Sequence, residues 1–202
     1  MNRTEPRDVL DALREDDSAA LAGLHVRLEG AAEREGLLDV AYRTLDTPLG
    51  SLLLAATPLG LLRVAYASEG HAAVLDALAE SVSPRILRAP ARLDGAAREV
   101  DEYFAGTRTS FDLPLDLRLA EGFRREVIEH LRDIGYGHRE SYAAVAAAIG
   151  HPRAVRAVGT ACARNPLPVV VPCHRVVRAD GSIGQYVGGA EAKQTLLTLE
   201  AA

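Results

Sequence analysis

Two Pro-Leu-Gly tripeptides, Pro48-Leu49-Gly50 and Pro58-Leu59-Gly60, divide the stretch between residues 37 and 67 into three short segments. Proline presets one turn dihedral and glycine supplies the positive φ that other residues resist, so each tripeptide reads as a tight reversal. Val40, Tyr42 and Thr44 alternate with Ala41, Arg43 and Leu45, the period-two pattern of a half-buried strand, and residues 51–57 and 61–67 are largely apolar. Strands joined by such short reversals pair antiparallel, because a parallel pair needs a crossover of about a dozen residues or more. The predicted unit is a three-stranded meander, followed by amphipathic helices near 71–81 and 94–105. Nothing in this half assembles a reactive site, and it reads as scaffold.

The flanking segments differ in character. Residues 1–36 are acidic, with Leu21, Leu24 and Leu28 at helical spacing behind Asp17-Ser18, a predicted N-cap. That leucine stripe needs a covering surface, and the following domain is the expected one. A linker rich in Pro, Asp and Leu spans residues 111–119. Beyond it, Phe123, Val127, Leu131 and Ile134 mark one face of a helix. Ser141 is placed to cap a second helix running through Ile149 and ended by Gly150. Pro152 fits the first turn of a third, which reaches about Arg164 and stops at Asn165-Pro166. Two short helices joined by a Gly-containing turn make a helix-turn-helix. The apolar run 167–171 reads as a buried strand, Val176-Val177 and Ile183 flank a predicted hairpin turn at 179–182, and a last helix covers 190–199. The predicted organisation is a helical extension over 1–36, an α/β scaffold domain over 37–118 and a second domain over 119–202, in an α+β fold.

Composition narrows the function classes. No apolar run approaches a membrane span, and the first ten residues are too charged for a signal peptide, so a soluble cytoplasmic protein without a membrane partner is expected. Cys162 and Cys173 are too few for a disulfide framework, and no Cys/His cluster has zinc-finger spacing, so neither metal nor cofactor is expected. The net charge of −5 argues against general nucleic-acid binding, but it is unevenly spread. Residues 1–118 carry 13 Arg against 20 Asp or Glu, a net of −7, whereas residues 119–202 carry nine Arg and one Lys against eight acids, a net of +2. If DNA is a partner, the second half touches it, through local contacts rather than a broad field.

The chemistry concentrates in Pro172-Cys173-His174-Arg175. A thiol attacks only as its thiolate and needs a base or a positive neighbour. Alone the pair is weak evidence, because neighbours on a strand point to opposite faces, and a buried cysteine beside a surface histidine is the commoner arrangement.

The surrounding motifs carry more. Residues 123–131 (FRREVIEHL), Tyr136-Gly137, Ser141-Tyr142, Arg156-Ala157-Val158-Gly159, Asn165-Pro166, residues 172–177, Gly188-Gly189, Lys193 and Leu196-Leu197 fall in the order and spacing of the C-terminal domain of O6-alkylguanine-DNA alkyltransferases, which the segment resembles. The resemblance implies a ribonuclease-H-like N-terminal sheet domain and a helix-turn-helix (winged-helix-like) C-terminal domain. It further implies irreversible, one-per-chain transfer of an alkyl group from O6-alkylguanine, and by extension O4-alkylthymine, in double-stranded DNA to Cys173 of a monomeric protein. His174 would take the thiol proton through water and Glu200 would hold the imidazole. Tyr142 would donate to the flipped base, and Lys193 would polarise the site near Tyr142 or the Cys173 carbonyl. The Val176 and Cys173 carbonyls would meet the guanine amino group and the Val187 N–H would face O6. Tyr186 would wall the pocket, Gly188 would permit close backbone approach, and Asn165 would stiffen the turn and connect to the catalytic water.

By the same resemblance, extruding the base would fall to Arg156, with Ala157 and Gly159 keeping the inserted helix slim. Thr160 shares that face, and Tyr142, Ala143, His151 and Ala179 fall where the family meets the DNA backbone. The chain departs from the family at Ile128, Gly135, Gln185 and Val187, and Val155 and Thr160 are bulkier than usual. A non-catalytic lesion-binding relative is the alternative reading; that class shares the helix-turn-helix and its arginine but lacks the cysteine.

Overall fold

In a computed structural model of the chain, residues 20–21 and 23–201 are described. The chain divides into two compact units, 1–39 and 40–202. The first is helical over 23–34, in keeping with its leucine spacing; its predicted Asp17-Ser18 cap lies outside the described residues. No described helix is long and apolar enough to cross a membrane.

The second unit opens with the meander: β1 (Val40–Thr47), β2 (Gly50–Thr57) and β3 (Gly60–Tyr66) pair antiparallel in sequence. A fourth strand, β4 (Ile86–Arg88), joins β1 in parallel and completes the order β3-β2-β1-β4. Three residues among prolines and arginines give no periodic signal, so β4 escapes a reading by pattern. Leu52, Leu53 and Leu54 on β2 are all fully buried, because β2 is flanked by strands and covered on both faces. On one face α1 (His71–Ser81) lays Leu78 and Val74 against Val40, Ala55 and Leu62. The helix α2 (Asp94–Phe104) buries Ala96, Ala97, Val100 and Tyr103 along one stripe.

A segment without regular structure, closed by a 3-10 turn at Leu117–Leu119, leads to the C-terminal half. There α3 (Phe123–Leu131) buries Val127, Ile128 and Leu131; Ile134, predicted on the same face, is buried just past the helix end. Ser141 caps α4 (Tyr142–Ala148), its hydroxyl accepting from Ala144 N–H at 3.1 Å. The turn at Gly150, with φ of 78°, leads to α5 (Val155–Ala163), completing the helix-turn-helix. Pro152 lies in the turn before α5 rather than in its first turn. The last helix is α6 (Gly189–Leu199).

Two predicted elements take other forms. Residues 167–171 are a turn, not a strand: Val171 N–H bonds to the Leu167 carbonyl at 2.7 Å, and Val169 has a φ of 73°. Pro166, Pro168 and Pro172 remove three of the seven backbone donors from 166 to 172, so this run cannot sustain a ladder however apolar it is. The segment is buried all the same, and burial is what its apolar composition encoded. Likewise β6 (Val176–Val177) pairs in parallel with β5 (Glu140–Ser141), and not with Ile183 across a hairpin. The turn itself forms, with Arg178 N–H bonded to the Ser182 carbonyl at 2.9 Å. The two halves are joined through backbone: Val64 N–H of β3 donates to the Pro166 carbonyl at 2.9 Å, and Arg63 reaches the same oxygen at 3.1 Å.

Candidate active site

Local backbone geometry puts the predicted nucleophile and base on one short turn. Residues Cys173–Arg175 form one 3-10 turn, closed by Arg175 N–H on the Pro172 carbonyl at 3.0 Å. In a strand the two side chains would point to opposite faces; in a 3-10 turn of three residues they leave the backbone about 120° apart. Cys173 is 2% exposed and His174 fully buried. Burial pushes the Cys173 thiol up to about 11, against the lowering effect of the Asn165 hydrogen bond and the Lys193 charge. The resting sulfur is therefore a thiol at neutral pH, and its activation requires proton removal during the reaction.

Asn165 holds that sulfur. Its Nδ2 donates to the Val171 carbonyl at 2.9 Å and to Cys173 Sγ at 3.1 Å, while Oδ1 accepts from Leu167 N–H at 2.9 Å. One amide thus pins both ends of the non-strand segment and also contacts the sulfur directly.

The base is oriented from its far side. His174 Nε2 lies 2.9 Å from Glu200 Oε1. Burial alone would raise the Glu200 carboxyl, but hydrogen bonds from His174, Arg175 and Tyr103 overcome it and hold the group at about 2. An ionised carboxylate only accepts, so the proton of neutral His174 sits on Nε2. That leaves Nδ1 as a bare lone pair; it is buried and has no hydrogen-bond partner among the described residues. Burial depresses the His174 pKa, with Glu200 opposing and Arg175 reinforcing the shift, so the imidazole is neutral at rest.

Three residues that sequence reasoning gave no role complete this cluster. Arg175 clamps the carboxylate, Nη2 to Oε1 at 2.8 Å and Nε to Oε2 at 2.9 Å, and also bonds the Ile134 carbonyl. Tyr103, from α2, donates its hydroxyl to Glu200 Oε1 at 2.7 Å. Tyr66, on β3, pairs hydroxyl to hydroxyl with Tyr186 at 3.0 Å. The N-terminal half is thus part of the site's wall and of its hydrogen-bond network, which corrects its reading as scaffold alone. Arg175 was in view beside the cysteine; for Tyr66 and Tyr103 the sequence holds no signal beyond an aromatic residue on a buried face.

The remaining predicted residues fall into place unevenly. Lys193 is fully buried and donates to the Val176 carbonyl at 2.6 Å, not to that of Cys173, with Nζ 5.9 Å from the centre of the Tyr142 ring. Burial lowers its pKa. Tyr186 packs edge-on against both Tyr66 and His174. Gly188 does permit a close approach, but the neighbour is the Tyr66 ring, only 2.6 Å from where a Cβ would sit. Val187 is half-buried. Tyr142 reaches its hydroxyl over Gly184, 2.4 Å from a Cβ position there, and burial pushes its phenol up to about 12, with Cys162 and Cys173 adding to the shift.

A cleft of about 380 Å³ is lined by Tyr142, Arg156, Gly159, Thr160, Arg164 and Arg178 among others, so four of the predicted DNA-facing residues share one concavity with two further arginines. Ala143, His151, Ala157 and Ala179 are exposed but line no part of it. His151 instead lies 3.3 Å from Glu126 and packs edge-on to Phe123.

Comparison with known proteins bears on this arrangement. A family model for the 6-O-methylguanine DNA methyltransferase ribonuclease-like domain matches residues 40–117, and one for the DNA binding domain of the same family matches 122–202. Over 161 residues the chain is 41% identical to the methylated-DNA–protein-cysteine methyltransferase of Mycolicibacterium paratuberculosis, covering 80% of this chain and 92% of that one. The constitutive methylated-DNA–protein-cysteine methyltransferase of Bacillus subtilis is 39% identical over 160 residues, 79% of this chain and 94% of its own. The crystal structure of Mycobacterium tuberculosis OGT in complex with DNA is similar at a TM-score of 0.69 and 38% identity, covering 80% of this chain and 92% of that chain.

Proposed function

Because the chain belongs to the 6-O-methylguanine DNA methyltransferase family, we propose that it removes alkyl groups from guanine O6 in double-stranded DNA by transferring them to Cys173. The observation that carries the assignment is the pairing of His174 Nε2 with Glu200: with Nε2–H committed there, the buried and unpartnered Nδ1 lone pair is the base we assign to the thiol. The thiol proton passes through a bridging water to Nδ1, and Asn165 Nδ2–H steadies the sulfur as negative charge grows. Sγ attacks the alkyl carbon in line with O6. The S–C bond forms as the C–O6 bond breaks, and the electron pair of the broken bond returns to the purine. Tyr142 donates a hydrogen bond to the base as it leaves. Its phenol is a weaker acid than usual, which favours hydrogen bonding over complete proton transfer. The proton held on His174 returns through solvent to the freed guanine.

The product thioether is not a leaving group that His174 or water can displace, so each chain reacts once. The target atom is hidden in duplex DNA and must be extruded. The arginine-lined cleft supports a role for Arg156 in filling the gap left in the stack, with Gly159 and Thr160 beside it. O4-alkylthymine is a second substrate of the same chemistry, and we assign the work to a monomer in the cytoplasm. Intact-protein mass measurement after exposure to excess O6-methylguanine duplex tests the assignment. One methyl per chain, located on Cys173 and absent from Cys173→Ser, is expected. Label on Cys162, or continued turnover, would overturn it.

A further inference from the structure

Resting on the alkyl-transfer reading, we infer that Tyr103 of the N-terminal half is a positioning residue, whose hydroxyl keeps Glu200 turned toward His174 and so fixes the imidazole tautomer from which the reaction starts. Glu200 Oε1 receives Tyr103 at 2.7 Å and His174 Nε2 at 2.9 Å, while Arg175 approaches the same oxygen at 2.8 Å. These donors are unequal. The guanidinium pair is charge-assisted and bidentate, whereas the neutral imidazole N–H is a weaker donor. Without a third donor on the histidine side, the carboxylate is free to turn toward Arg175 and loosen its hold on Nε2. The Tyr103 hydroxyl supplies that third donor and lies 3.5 Å from Nε2.

The phenol is well built for this task. Tyr103 is fully buried, and its ring is held by Phe104, Phe111 and Tyr136 at centroid distances of 5.4, 5.3 and 6.2 Å. The groups facing it that carry charge or titrate are Glu200, His174, Arg175, Tyr136 and Tyr186. Burial, then the Glu200 charge, pushes its own ionisation far above neutral pH, so it remains a donor throughout the working range. The covalent step does not involve it; its effect runs through Glu200 and His174.

Tyr103→Phe tests this, since it removes the hydroxyl and keeps the ring. Imidazole ¹⁵N spectra of the full chain should show a single Nε2–H tautomer at His174 in the unmodified protein and a mixture in the variant. Transfer from free O6-benzylguanine should slow about tenfold, the order expected for one hydrogen bond to a charged group. Tyr66→Phe, which removes another buried hydroxyl of the same domain, should leave the tautomer unchanged. A His174 spectrum indifferent to Tyr103→Phe overturns the inference, even if the variant is slower or less stable. Because the spectrum needs no substrate, it also decides the matter if the unmodified protein transfers nothing, an outcome that counts against the alkyl-transfer reading. Should Tyr103→Phe not fold, incorporation of 3-fluorotyrosine strengthens the same donor without changing the packing. It should shift the His174 Nε2 resonance, and an unmoved resonance overturns the inference.

Discussion

At the scale of single residues, the site is a buried ionic network whose charges are fixed before substrate arrives. Glu200 is paired with Arg175, so removing the carboxylate would leave a guanidinium buried without its counter-charge; Glu200→Gln should cost about 3–5 kcal/mol of stability. The same network sets the acid sensitivity. The folded-state pKa of Glu200, about 2, lies below its ordinary value, so its contribution is fully present above the unfolded carboxylate range and is lost as pH falls through about 2. His174 is also depressed, so the unfolded chain takes up that proton first and stability begins to decline as pH drops below the ordinary histidine range. Denaturant unfolding between pH 7 and pH 3 should show stability falling throughout, and the fall should be smaller in Glu200→Gln. Equal pH dependence in the two proteins would remove Glu200 from the account.

At the scale of elements, short turns place the functional groups. The 3-10 turn at Cys173–Arg175 carries both thiol and imidazole, and the helix-turn-helix sets Arg156 in the cleft that Tyr142 also lines. This separates two kinds of loss. Arg156→Gly should impair repair of duplex DNA by at least tenfold more than reaction with free O6-benzylguanine, because free base needs no extrusion. Tyr142→Phe should slow both substrates alike, since its proposed contact is to the base. Single-turnover rates on the two substrates check this; equal losses for Arg156→Gly would assign that arginine to the fold or the pocket.

At the scale of the whole molecule, residues 40–202 form a compact unit that contains every group of the site, including Tyr66 and Tyr103 from its N-terminal half. A chain beginning at residue 37 should therefore transfer one methyl per molecule at the rate of the full chain. The leucine stripe expected to be covered is exposed at Leu21, Leu24 and Leu28, so it adds little burial and the truncated chain should melt near the temperature of the full one, which a thermal melt of both checks. A truncated protein of equal stability that is slow only on duplex DNA would make the extension a DNA-facing element.

What the sequence determined by itself is local. Turn tripeptides, strand alternation and helix caps are encoded in contiguous residues, so the meander, the helix-turn-helix and the Ser141 cap were legible, and the motif spacing around Cys173 carried the family and pointed to the residues proposed for the site. Pattern failed where composition and backbone chemistry disagree: the run 167–171 looks like a strand because burial favours apolar residues, but its prolines forbid the ladder. Tertiary structure alone decided which side chains meet across long separations. Tyr103 and Glu200 stand 97 residues apart, and Tyr66 and Tyr186 stand 120 apart. No local propensity encodes such a contact. It arises only when β3 bonds to Pro166 and α2 buries its tyrosine, so that two halves with separate sequence signals close around one carboxylate and one thiol.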